Sequence, residues 1–180
     1  MIADYFETNA GKLRIITDIS LDPKDRFPRE EYARFLNRCK GQISAEAGMD
    51  FFEITDETRR LVNQYTADNP EASFAAIDER FFSHSPNNFD GRSIAGRNVE
   101  AAGTKTVQIL FEGRYDGYLN PDVHYIPLKK DFSNIDEVMT KFRDTDYVRR
   151  ITENAYVVAV QELTFDKLIE RFHDALVEVL

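Results

Sequence analysis

Residues 91–128 read GRSIAGRNVEAAGTKTVQILFEGRYDGYLNPDVHYIPL, and the fold turns on the run TVQILF at 106–111. It is apolar and β-branched, too short for a helix and bounded by turn residues, which fits a strand buried on both faces. The segment before it is amphipathic and ends at Gly103, so a helix containing Glu100 is expected to lead into that strand. Such a helix-to-strand step belongs to a mainly parallel sheet. Gly91, Gly96 and Gly103 punctuate the stretch, while Arg92, Arg97 and Lys105 bring cationic donors suited to phosphate oxygens and Glu100 is the acid among them. Beyond the strand, Asn120-Pro121-Asp122 makes a turn into His124-Tyr125-Ile126, a second short strand that Pro127 is expected to end.

The runs RNVEAAGTKTVQILFEG and YLNPDVHYIPLKKDFSNIDEVMTKFRD resemble the donor-binding, C-terminal half of bacterial GT-B-type glycosyltransferases. The likeness is to the family-1-like enzymes grouped with spore-maturation-like proteins, with a sub-pattern shared with capsule-associated and protein O-glucosyltransferases. It covers roughly residues 28–180 and is most specific between Gly96 and Phe142. The resemblance implies a single Rossmann-like domain over residues 1–180, with a helical insertion around 55–82 and a helical C-terminal part at 133–180. It further implies a nucleotide-diphosphate sugar as donor substrate, a glycan, lipid or protein as acceptor, and an N-terminal GT-B domain in cis or in trans. Arg97 and Glu100 occupy the positions that hold the donor's diphosphate and its ribose or sugar. Gly96 opens that helix, Thr104 and Lys105 in the next turn are secondary candidates, and the HYIP segment places His124 near the donor pocket. Arg92 stands where many members carry a second glutamate, eight positions before Glu100, so the two-glutamate retaining mechanism is not implied. The alternative is a non-catalytic nucleotide- or sugar-binding module that keeps the fold.

Bulk properties agree with a globular chain. With 180 residues, 42% hydrophobic and 31% charged, one sizeable core is expected. A net charge of −9 argues against a general nucleic-acid binder, which holds phosphate backbones with clustered Lys and Arg. A few well-placed donors still suffice for one diphosphate. No apolar run reaches membrane-spanning length and no signal-peptide pattern opens the chain. Cys39 is the single cysteine, so no internal disulfide forms and a cytoplasmic location is the default expectation.

Working outward from the central stretch, residues 1–12 read as a helix closed by Asn9-Ala10-Gly11 and residues 13–17, LRIIT, as a strand. A helix starts at Pro28, with Tyr32, Phe35, Leu36 and Cys39 on one face and Gly41 at its end. Residues 42–45 form a short strand. A helix from Thr55 carries Leu61, Val62 and Tyr65, and another over 71–82 turns Phe74, Ile77, Phe81 and Phe82 inward. Residues 84–88 are a loop. Ser133 with Asp136 resembles a capping pair for a helix with Val138, Met139 and Phe142 inward and Lys141 on its solvated face. A helix over 146–160 follows. Thr164 caps the last helix, with Phe165, Leu168, Ile169, Phe172 and Leu176 inward. Helices alternating with short apolar strands make the fold class α/β.

Other motifs give way to simpler readings. GRSIAGRN at 91–98 lacks the Lys and Ser or Thr that a P-loop needs where Arg97 and Asn98 stand, so it reads as a helix start that favours an anion. Asp144-Thr145-Asp146 spells a metal-binding Asp-x-Asp, but between two helices Asp146 is more simply a cap, and no metal is expected. No His and Cys cluster has zinc-ligand spacing. His84 and His173 read as loop and surface residues. Glu46 and Asp50 are acids in a segment whose structure the pattern does not fix, and no general base is assigned.

Overall fold

The computed structural model describes residues 2–48, 51, 53–83 and 91–179. Asp50, His84 and the expected loop at 84–88 lie outside them. The fold is α/β, with a three-stranded parallel sheet flanked by helices, Rossmann-like in kind. Two compact units divide the chain: residues 1–47 with 93–180, and residues 48–92.

In the first unit, α1 (Ile2–Leu13) and α2 (Arg29–Leu36) precede β1 (Gly41–Ser44). The chain returns through α5 (Gly96–Gly103) to β2 (Val107–Phe111), then to β3 (Ile126–Leu128), α6 (Ile135–Arg143), α7 (Thr145–Glu162) and α8 (Phe165–Val179). The strand order is β1-β2-β3, with Ile43 opposite Ile109 and Ile109 opposite Ile126. The second unit carries α3 (Glu57–Asp68) and α4 (Phe74–Phe81), joined by an aromatic contact between Tyr65 and Phe81.

The central strand is buried as its composition requires. Val107 and Ile109 join Ile126 and Leu128 in a cluster with Phe6 and Leu13 of α1, Val138 and Met139 of α6, and Ile151 of α7. Leu110 points the other way, as alternation demands, and packs with Tyr115, Leu119 and Tyr125. Alanines bring α5 and α7 together, Ala102 against Ala155 and Ala159. At the start of β1 a Cβ on Gly41 would meet the Phe142 ring and Val107 at 2.8 Å, so the backbone approaches too closely for any side chain.

Several local expectations are corrected. Residues 14–17 form no strand. Instead α1 runs through Gly11 and closes at Arg14 (φ 52°), where Arg14 N–H donates to Gly11 O and Ile15 N–H to Ala10 O. This is the Schellman closure, here with an arginine in the left-handed position. The helix continues because Leu13 is buried, whereas Ile16 is fully exposed. Helix α2 stops at Leu36, and Gly41 opens β1 instead of ending the helix. Strand β3 runs through Pro127, which an edge strand tolerates because its outer side needs no ladder donor. Ser133 does not cap α6: Asp131 accepts its N–H, and Asn134 bonds Lys129 N–H and Pro127 O. Asp144, not Asp146, caps α7, accepting from the N–H groups of Asp146 and Tyr147. Thr164 does cap α8, accepting from Lys167 N–H. Lys141 is not on a solvated face but bonds Asp122 and Glu137. Phe74 is 82% exposed, and the apolar residues of α8 are exposed instead of inward.

Candidate functional site

Parallel strands give the sheet two unlike edges, and ligands of open α/β sheets bind outside the carboxyl edge. Here that edge is formed by Ser44-Ala45-Glu46 after β1, Glu112 to Tyr115 after β2, and the start of α5. Gly96 opens the helix and is exposed, and a Cβ there would meet nothing within 4 Å. Packing therefore does not dictate glycine at this position. The first N–H groups of a helix lack intrahelical partners and carry its positive dipole end.

Arg97 stands on the first turn of α5. Its Nε donates to Ser44 Oγ at 2.6 Å and its Nη2 to Ala45 O at 3.1 Å, which ties the helix start to the end of β1. The residue remains exposed, and the rest of its five-donor fork is not used by these bonds. Glu100, one turn on, is half-buried and faces α2. Burial chiefly, then the negative field of Glu100, raises the pKa of the Tyr32 phenol, while Arg97 opposes them. The Tyr32 hydroxyl also donates to Gln42 Oε1 at 3.2 Å.

Beneath these groups lies a polar seam. Gln42 Nε2 donates to Arg97 O at 3.1 Å and to Gln108 Oε1 at 3.2 Å, and Asn98 Nδ2 reaches the same Gln108 oxygen at 3.0 Å. Asn98 Oδ1 accepts the Ala95 N–H and fixes the helix start. Gln108 is buried, and its Nε2 has no hydrogen-bond partner among the described residues.

Glu46 has a structural task that its sequence position does not announce. Its Oε1 accepts the N–H groups of Arg114 at 3.0 Å and Tyr115 at 2.8 Å. Arg114 is right-handed and Tyr115 left-handed (φ 45°), so their amides form an anion-binding nest that this carboxylate fills. A Cβ on Gly113 would come within 2.5 Å of Glu46 Oε2, so glycine is what lets the carboxylate seat. Asp116 Oδ2 accepts Ile94 N–H at 2.9 Å and binds the β2 loop to the entrance of α5.

The six residues expected at the donor site do not all converge. Gly96, Arg97 and Glu100 share the first turns of α5. Thr104 and Lys105 follow the far end of that eight-residue helix, about 12 Å along its axis at 1.5 Å per residue. Thr104 Oγ1 donates back to Glu100 O and Ala101 O. Lys105 pairs with Glu153 at 2.7 Å and lies over the Tyr156 ring. His124 sits before β3, hence at the amino edge, where its Nδ1 accepts the Asn120 N–H at 2.8 Å. The resemblance gathers these residues at one donor site, whereas the parallel topology sets them at different edges of the sheet. Tyr32 joins these groups unannounced, because it reads only as part of an apolar helix face, and Gln42 supports it from the seam beneath.

Burial holds the His124 imidazole below its usual 6.5. Neutral Nδ1 is the acceptor in the turn, so the stability it contributes is present in full above pH 6.5 and is lost as pH falls through the lowered folded value. Thermal melts between about pH 5 and 7 are expected to show this acid-side loss in the wild type and a flatter profile in His124→Gln. An identical pH dependence in both proteins would show that His124 stays uncoupled from folding.

No protein-family model matches the chain, and no curated protein matches it.

Proposed function

We propose that the chain is the donor-binding half of a GT-B-type glycosyltransferase, with a nucleotide-diphosphate sugar as its donor. The observation that carries this reading is the start of α5, a glycine-opened helix N-terminus with an exposed arginine at the carboxyl edge of a parallel sheet. The diphosphate rests against the N–H groups of Gly96 and Arg97, and the remaining N–H groups of the Arg97 fork neutralise charge as the bond from sugar carbon to phosphate oxygen breaks. The departing nucleoside diphosphate keeps the electron pair. Glu100 and the Tyr32 hydroxyl bind ribose or sugar hydroxyls in this reading. Thr104, Lys105 and His124 take no part in this arrangement.

Calorimetric titration with a panel of nucleoside diphosphates tests the proposal. One of them is expected to bind, and Arg97→Ala to weaken it by roughly ten- to a hundredfold, the worth of one charge-assisted contact of about 1.5–3 kcal/mol. Lys12→Ala, an exposed position at the end of α1, is the control. Unchanged affinity in Arg97→Ala would place the diphosphate elsewhere.

A second reading is a non-catalytic module of the same fold. Arg97 and Glu46 both bond groups of their own chain, which is how residues serve when they hold a scaffold together. Nucleotide binding with no sugar transfer, even with a second α/β domain supplied, would select it.

A further inference from the structure

The nest after β2 already holds an anion, and that anion is the chain's own. Arg114 N–H and Tyr115 N–H both point at one oxygen of Glu46, at 3.0 and 2.8 Å. The turn that aims them runs through three successive left-handed residues, Tyr115 (φ 45°), Asp116 (φ 54°) and Gly117 (φ 77°). The first two carry side chains that disfavour this conformation.

The carboxylate does not complete the seat. Tyr125 has no exposed surface, and its hydroxyl has no hydrogen-bond partner among the described residues. Burial chiefly raises its pKa, the Gly113 amide opposes this, and the Glu112 and Glu46 carboxylates add to it. The hydroxyl therefore lies at the same turn and keeps its proton, with its ring 5.3 Å from that of Tyr115. A buried O–H donor beside an anion seat, with nothing to donate to, is an unmet cost of the free chain.

Shape says which ligand meets that cost. A carboxylate has two oxygens in one plane. Glu46 gives one to both amides and sets the other against Gly113, where a Cβ would stand 2.5 Å from it. Phosphate is tetrahedral, so one oxygen takes the amides while another turns to the Tyr125 hydroxyl. Arg97 brings a cation to the seat, since its Nη2 bonds the carbonyl of Ala45, the residue before Glu46. Solvent reaches the turn, where Glu46 and Gly113 are half-buried and Arg114 is exposed.

We propose that the turn at 113–115 is a phosphate seat that Glu46 keeps closed, and that a phosphate dianion, free or at the end of a larger ligand, displaces the carboxylate to take the Arg114 and Tyr115 amides with the Tyr125 hydroxyl. The nucleotide-sugar reading concerns the amides of α5, and this inference does not depend on it. Titration of the full chain with inorganic phosphate, followed by calorimetry and by amide NMR shifts, tests the seat. The Arg114 and Tyr115 amides are expected to shift. Glu46→Gln keeps an oxygen for both amides and is expected to bind phosphate at least about tenfold more tightly than the wild type, because a neutral oxygen holds the nest less firmly and repels no anion. In that background Tyr125→Phe is expected to weaken phosphate about tenfold without lowering Tm, since the phenol has no bond to lose. Methyl phosphate run beside inorganic phosphate shows which source the seat prefers. Shifts confined to Gly96 and Arg97 would put the anion on α5 and overturn the inference. So would equal phosphate affinity in Glu46→Gln and the wild type, unchanged affinity in Tyr125→Phe, or acetate binding to Glu46→Gln as tightly as phosphate.

Discussion

Leu110→Ala is expected to lower the unfolding free energy by about 2–5 kcal/mol, the range for a large-to-small change at a fully buried site. Leu110 lies in the central strand with no exposed surface, against Tyr115, Leu119 and Tyr125. Those neighbours resist collapse into the space it would leave. The Tyr115 hydroxyl donates to Phe111 O at 2.7 Å and the Tyr115 backbone is held by Glu46, so the ring is tethered at both ends. Burial raises the Tyr115 pKa and pushes Tyr125 up to about 12, so both phenols stay neutral through the working pH range. For a domain of this size 1 kcal/mol moves Tm by about 2–4 °C, so the midpoint should fall by roughly 5–20 °C. Phe74→Ala is the counter-test. At 82% exposure it should change stability by no more than about 0.5 kcal/mol, whereas an inward Phe74, as its sequence pattern suggested, would cost several times more. Equal losses in the two variants would contradict the burial described for both.

The contrast between Leu110 and Phe74 shows what was legible in the sequence. TVQILF could be read as a buried strand because each of its side chains finds a partner whichever face it takes. The parallel sheet followed, since a helix stands before the strand. The helices of the last third were equally plain, while the short strand near 42–45, found at Gly41–Ser44, had a weaker pattern. Phe74 and the α8 residues misled for one reason: periodicity identifies an apolar face but does not say whether anything covers it. Residues 13–17 misled differently, since β-branched composition cannot supply a neighbouring strand, and Leu13 found its burial as the last residue of α1. At the candidate site, Arg97 and Glu100 share a helix as their spacing required. Lys105 and His124 were joined to them by the resemblance, whereas the structure sets Lys105 past the far end of α5 and His124 ahead of β3. Glu46 was unreadable because its role depends on two backbone amides sixty-eight and sixty-nine positions away.

On the proposed transferase reading, the isolated chain is expected to transfer sugar at a rate near background, and a second α/β domain to raise that rate by at least about a hundredfold. On that reading Arg97, Glu100 and Tyr32 at the carboxyl edge serve the diphosphate and the hydroxyls, and no acid or base is assigned to an acceptor. Holding donor and acceptor together in reactive geometry is worth up to about 7–11 kcal/mol in well-oriented systems, and closing a cleft adds the exclusion of water. A chain that binds the donor alone obtains neither. The measurement is release of nucleoside diphosphate from the donor, with and without acceptor, for the chain alone and with the second domain fused or added. Nucleotide affinity should change far less than the rate across that comparison, because the proposal assigns the diphosphate contacts to α5 alone. Transfer by the chain alone at a rate the second domain leaves unaltered would mean that the acceptor site and its base lie within these 180 residues, and the division of labour between two domains would have to be abandoned.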